Sequence, residues 1–207
     1  MTSSAIPINN YRNLAKRYER LHERWLNYAG GEAQSAFEGA TIALLQPGMD
    51  VLDAGCGTGA FAVRMLRQTN NQINLSLLDG CPEMLAQTPM ISAEKLEGDL
   101  EDLPFADNQF DLVTCGWALE ATNRPQKALT ELIRVAKPGG YICVVFCADV
   151  CCGGWLGQFM KWSVKLRKTG RFLNVEDIEM ALTHSNVSTI RRLPCKGPAV
   201  SLFIKKA

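Results

Sequence analysis

Apolar and polar positions change rhythm several times along this chain, and each change predicts an element. Runs at 49–54, 73–78, 93–96, 110–117 and 141–147 have the length of buried strands, and most are rich in Val, Leu, Ile and Phe. Between them, 58–69, 82–88 and 125–136 predict helices, their apolar residues recurring three and four apart. Strands alternating with helices predict an α/β fold with a parallel, doubly wound sheet. Helices are expected again at 154–168 and 175–184, and late strands at 187–193 and 199–205. Ahead of the first strand, 9–29 reads as one amphipathic helix and 32–45 as a shorter one. The expectation is a single domain over 1–207, a helical cap (1–48) on a core (49–207).

Composition narrows the classes. The net charge of +1 argues against a general nucleic-acid binder, whose domain is usually basic. No apolar run approaches the roughly 20 residues that span a bilayer. The N-terminal residues lack an apolar signal core, so a cytoplasmic location is expected. In that setting the 8 cysteines read as free thiols, and without a C-x-x-C pair they give no support to a metal site.

The densest chemistry lies at 51–59, Val-Leu-Asp-Ala-Gly-Cys-Gly-Thr-Gly. An apolar strand ends in an acid, Asp53, and enters a loop in which Gly55, Gly57 and Gly59 alternate with small residues. Such glycines allow a sharp turn and bring a ligand against bare main chain. The helix expected next points its free N–H groups at that ligand. Taken alone, the loop also fits the dinucleotide fingerprint G-x-G-x-x-[GA], with Asp79 as a downstream ribose acid. Three further segments argue otherwise: Leu75–Gly80 with an acid at its tip, Glu97–Val113 with Gly98-Asp99 before a turn, and Arg134–Val145 around Pro138-Gly139-Gly140.

With those four segments in order, the chain from 49 to its end resembles the class I S-adenosylmethionine (SAM) methyltransferases. The resemblance implies a seven-stranded Rossmann-like sheet, parallel over its first five strands and closed by an antiparallel pair. It also implies SAM as cofactor, with S-adenosylhomocysteine as product. Gly55 and Gly57 would line the methionine moiety, and Asp53 would support its amino group through the loop or a water. Asp79 would take the ribose diol. Leu100 and Asp99 would read adenine, and Cys81 and Met84 would pack on its face. Cys56, Gly59, Gly80 and Cys115 complete the expected cofactor set. Residue by residue, plainer roles stay open: Asp79 as a helix cap before Pro82, Asp99 as a solvated loop acid, Met84 as core.

Methyl transfer from a sulfonium is an in-line displacement, so alignment and water exclusion matter most, and a base is needed only for a protic nucleophile. The candidates are His22, otherwise a surface position of the cap helix, and Glu120, otherwise a solvated loop carboxylate. Tyr18, Trp117, Cys151, Cys152 and Trp155 are the candidate substrate-side residues. The chain has Cys115-Gly116-Trp117-Ala118 where families that methylate DNA amines or protein glutamine carry Asn/Asp-Pro-Pro-aromatic. A small-molecule or lipid acceptor is expected, apolar or amphiphilic, and no nucleic acid. Residues 155–171 set Lys161, Lys165 and Lys168 on one helical face and Trp155, Phe159 and Trp162 on another. The pattern fits either aromatics packed over the sheet or roofing the substrate pocket with the lysines in solvent, or peripheral contact with the inner membrane surface. The Tyr-rich opening of the cap (Tyr11, Tyr18) is similar to the start of quinone-biosynthesis and phospholipid methyltransferases. Thiols at Cys115, Cys147, Cys151 and Cys152 leave a second reading, arsenite-type metalloid methylation. A third is a SAM-binding lipid-surface module without turnover.

Overall fold

The computed structural model describes residues 11, 12, 14–150 and 171–207. The helix expected at 154–168, with Cys151, Cys152, Trp155 and nearly all of the basic-aromatic stretch, lies outside the described residues.

The cap departs from expectation. Instead of two helices parted at Gly30-Gly31, a 3-10 turn (Ala15–Arg17) leads into α1 (Tyr18–Trp25), a π-helical turn (Leu26–Gly30) and α2 (Gly31–Leu44) without a break. Glycine weakens a helix by about 1 kcal/mol relative to alanine but does not forbid one. Gly30 keeps helical angles (φ −101°, ψ −6°), and its bare backbone accepts an aromatic ring described below.

Seven strands then form one sheet: β1 (Asp50–Ala54), β2 (Asn74–Asp79), β3 (Glu94–Glu97), β4 (Phe110–Gly116), β5 (Ala136–Cys147), β6 (Val187–Arg192) and β7 (Ala199–Lys206). Their order is β3-β2-β1-β4-β5-β7-β6, parallel through β5, with β7 antiparallel to both β5 and β6. Helices α3 (Ala60–Gln68), α4 (Pro82–Leu85), α5 (Pro125–Val135) and α6 (Val175–Thr183) complete the described elements. α4 is shorter than the 82–88 expected. β5 begins earlier than 141, because Ala136 already pairs with Phe110. A register shift follows, and the Pro138-Gly139-Gly140 turn is taken up as an irregularity before Tyr141 pairs with Leu112. Gly139 turns with φ +76°, which a side chain would resist.

Both faces of the sheet are covered at its centre, which explains why β1, β4 and most of β5 are apolar rather than alternating. The edge strands β3 (Glu-Lys-Leu-Glu) and β6 (Val-Ser-Thr-Ile-Arg-Arg) stay largely polar. On one face Leu129, Leu132 and Ile133 of α5 and Ile178 and Leu182 of α6 pack against Leu52, Val113 and Val144. On the other, Ala33 and Phe37 of α2 and Phe61 and Met65 of α3 cover Val51, Leu75 and Val145. Lys137 ties the amino ends of β1 and β4, 2.9 Å from Asp50 and 2.8 Å from Asp111. Strand order reverses between β1 and β4, and in such sheets the ligand crevice lies at the carboxyl ends on either side of that point.

Candidate active site

At those carboxyl ends lies a cavity of about 660 Å³, within the range of small-ligand sites. Its floor is the glycine loop. Gly55 and Cys56 donate their N–H groups to the Leu78 carbonyl at 2.7 and 3.0 Å, which holds the loop against the tip of β2. Gly55 has φ +75°, and a Cβ there would meet that of Ala118 at 2.4 Å. The loop therefore closes on the segment after β4 only as glycine. With Gly57, Gly80, Gly98 and Gly116 also on the wall, a ligand meets much bare backbone.

Asp79 ends β2 and organises both sides of the floor. Its Oδ2 accepts the Gly57 N–H and its Oδ1 the Cys81 N–H, each at 2.8 Å. Burial raises its pKa, and those two N–H groups pull it back toward the charged form. Each oxygen retains a lone pair for a further donor. A pair of vicinal hydroxyls is what a two-oxygen acceptor on a cavity wall fits. The helix-cap role coexists with this, since the Cys81 bond also shapes the entry to α4.

Across the cavity, Asp99 and Leu100 follow β3. Asp99 is exposed and accepts the Glu101 N–H at 2.8 Å, whereas Leu100 is buried. Glu101 is a wall residue that the sequence reading missed. Its buried carboxylate accepts the Asn123 and Arg124 N–H groups at 2.7 and 2.9 Å and the Arg124 Nε–H at 2.8 Å. These donors lower its pKa against the opposing effect of burial. It thereby joins the loop after β3 to the start of α5. Only its apolar flank, Leu100 and Leu103, hints at burial in the sequence. Arg171 donates to the Thr122 and Asn123 carbonyls at the rim, at 3.1 and 3.0 Å.

The cap helix forms the remaining wall. Tyr11 and Tyr18 line the cavity, their phenols held protonated chiefly by burial. Glu19 accepts a hydrogen bond from Thr58 of the glycine loop, and Arg12 pairs with Glu83 at 2.5 Å. Tyr18 stacks on His22, which meets the edge of Trp117. His22 is thus half-buried between two rings, and burial lowers its pKa. Trp117, the first residue beyond β4, has φ +56°. For a bulky side chain that conformation costs about 1–3 kcal/mol and persists only where surrounding contacts impose it.

Among the cofactor-side candidates, Gly55, Gly57, Asp79, Gly80, Met84, Asp99 and Leu100 come together on this cavity, with Tyr18 and Trp117 from the substrate side. Asp53, Cys56, Gly59, Cys115, His22 and Glu120 stand behind its surface. Asp53 turns into the sheet, where Oδ1 accepts the Thr114 hydroxyl at 2.8 Å and burial raises its pKa to about 6. Its Oδ2 is buried without a partner among the described residues. Gly59 caps α3, and Cys115 lies within the core. Glu120 is not a solvated loop acid: it is 3% exposed, accepts the Cys147 N–H at 3.2 Å, and burial lifts its pKa to about 7. The six described cysteines are free, and burial keeps the Cys115 thiol protonated. No group of His, Cys, Asp or Glu suited to holding a metal ion occurs among the described residues.

This strand order, with a glycine loop after β1 and an acid at the tip of β2, defines the Rossmann-like class I methyltransferase fold. Residues 52–144 match the model of a family described as methyltransferase domain. The chain is 38% identical over 139 residues to a malonyl-[acyl-carrier protein] O-methyltransferase of Pectobacterium atrosepticum, matching 65% of this chain and 52% of that one. It is 32% identical over 142 residues to a demethylmenaquinone methyltransferase of Desulfitobacterium hafniense, matching 65% of this chain and 55% of that protein. The chain thus spans about half the length of these curated relatives. A Thermotoga maritima SAM-dependent methyltransferase superposes with TM-score 0.70 at 22% identity, over 96% of this chain and 99% of that one.

The wall suits SAM. The glycine cradle presents bare backbone to it, and Gly57, with φ +56°, holds a conformation that side chains resist. Asp79 faces the same space with acceptor capacity to spare for a ribose diol.

Proposed function

We propose that this protein transfers the methyl group of SAM to a small apolar or amphiphilic acceptor of lipid- or quinone-like character. The observation that carries the reading is one cavity lined both by the glycine loop with Asp79 and by the aromatic side chains of Tyr11, Tyr18 and Trp117. The glycine loop and Asp79 fit a nucleoside amino acid, and Trp117 offers aromatic surface to an acceptor.

SAM brings an activated methyl on a sulfonium, so no metal or redox partner is required by the chemistry. The chain's own work is alignment. Asp79 and the loop after β3 fix the nucleoside end, and the bare backbone at Gly55 and Gly57 admits the amino-acid end. The cap excludes water above them, which favours an in-line approach. The relatives fit this acceptor class, one being named for malonyl-acyl carrier protein and the other for demethylmenaquinone. Of the described helices, none is long and apolar enough to cross a membrane, and a peripheral lipid contact belongs to the same proposal.

The test is calorimetric titration with SAM, S-adenosylhomocysteine and NADH. Binding of the two sulfur nucleosides without NADH is expected. NADH binding alone would overturn the proposal and return the glycine loop to a dinucleotide role.

A further inference from the structure

The wall facing the acceptor is set by a residue far from the glycine loop in sequence and by two cap positions that do not line the cavity. Trp117 follows β4 in a left-handed conformation, with its N–H still donating to the Val145 carbonyl at 2.8 Å. Its backbone therefore turns immediately beyond the last bond to β5. What keeps its side chain there comes from the cap. Its Nε1–H donates to Gln34 Oε1 of α2, and the rings of His22 and Trp25 meet it edge-on at 5.9 and 6.0 Å. Gly30 closes the arrangement. A Cβ there would lie 2.8 Å from Trp117 Cη2 and 2.7 Å from Trp25 Nε1. Gly30 also ends the π turn, a local widening of a kind often found at functional positions. The opposite end of the same helical run grips the cofactor side through Glu19 and Thr58 and lays Tyr18 over Gly57.

We propose that Gly30 and Gln34 are positioning residues for Trp117, and that Trp117 selects a flat, uncharged ring as acceptor. This rests on the methyltransferase reading and deepens it. Aromatic rings supply the stacking surface. The charged side chains on the described wall, Asp79, Glu97, Asp99 and Glu101, are all acidic, so an anionic acceptor group finds no cationic partner among the described wall residues. Helix propensity and the proposal make opposite forecasts for Gly30→Ala. Propensity alone favours alanine within a helix, whereas a Cβ at Gly30 displaces Trp117.

The experiment is calorimetry with 1-naphthol as the flat-ring probe and hexanoate as an anionic chain, each titrated into protein saturated with S-adenosylhomocysteine. The wild type is expected to bind naphthol and not hexanoate. Gly30→Ala is expected to lower the melting temperature through the crowded rings and to keep S-adenosylhomocysteine affinity, while naphthol binding falls by up to about tenfold. Trp117→Ala should lose at least as much, and the double variant no more than Trp117→Ala alone, because both act through one ring. Should Gly30→Ala fail to fold, Gln34→Ala, which adds no bulk, must weaken naphthol binding in the same selective way. Unchanged naphthol affinity in the folded variants, fully additive losses, or preference for hexanoate would overturn the proposal. Absence of S-adenosylhomocysteine binding by the wild type would instead overturn the methyltransferase reading on which it rests.

Discussion

Asp79 carries two jobs in one carboxylate: it fastens Gly57 and Cys81 by their N–H groups and presents spare lone pairs to the cavity. Asp79→Ala should therefore weaken SAM binding by about 2–4 kcal/mol, as expected for lost hydrogen bonds to a charged acceptor plus a loosened loop. Unchanged affinity by calorimetry would remove Asp79 from the site. Glu120 tests burial instead. Its pKa rises from 4.5 to about 7, so the folded state keeps a proton that the unfolded chain has released between those values. Its contribution is fully present below the unfolded value and is lost as pH rises through the folded one. Asp53, lifted from 3.8 to about 6, acts in the same direction at lower pH. Glu120→Gln should flatten the decline of melting temperature between about pH 5 and pH 8. Parallel melting curves for variant and wild type would count against a buried, titrating Glu120.

Element by element, the cap owes its placement to packing more than to intrinsic helicity. Phe37 of α2, 1% exposed, meets Phe61 at 5.1 Å between ring centroids and packs against the sheet. Phe37→Ala should cost about 3–5 kcal/mol, read from denaturant unfolding. A cost below about 1 kcal/mol would mean that the cap docks independently of this contact. The central strands were legible from their apolar runs, because a sheet covered on both faces leaves few polar positions to confuse the period, whereas the edge strands β3 and β6 carry no such run. The cap was legible only in part. Gly30-Gly31 reads locally as a helix stop, and only Trp117, reached through the fold, gives the glycine a reason to remain helical. The early start of β5 was hidden for a related reason, since Pro138-Gly139-Gly140 reads as a turn until β4 is alongside to take up the register shift.

Cofactor binding should stabilise the whole molecule, because the site joins loops after β1, β2, β3 and β4 to the cap. S-adenosylhomocysteine at a hundredfold excess over its Kd should add about 2.7 kcal/mol to unfolding, visible as a raised melting temperature. No shift at saturation would mean that the folded state does not bind it preferentially. By itself the sequence determined the class of fold, the glycine loop and the acids at the strand tips, since these depend on neighbours within a few residues and on the apolar period. It also drew attention to Tyr18 and Trp117, as aromatics near the expected crevice. Tertiary structure alone decided which candidates face the cavity. Asp53, two residues from wall residue Gly55, turns to Thr114 in the sheet, and Glu120, beside wall residue Ala121, turns to Cys147. It alone brought Glu101 to Arg124 and Gly30 to Trp117. Such pairings lie between segments distant in the chain. They are set by side-chain direction and close packing, which no local pattern of residues encodes.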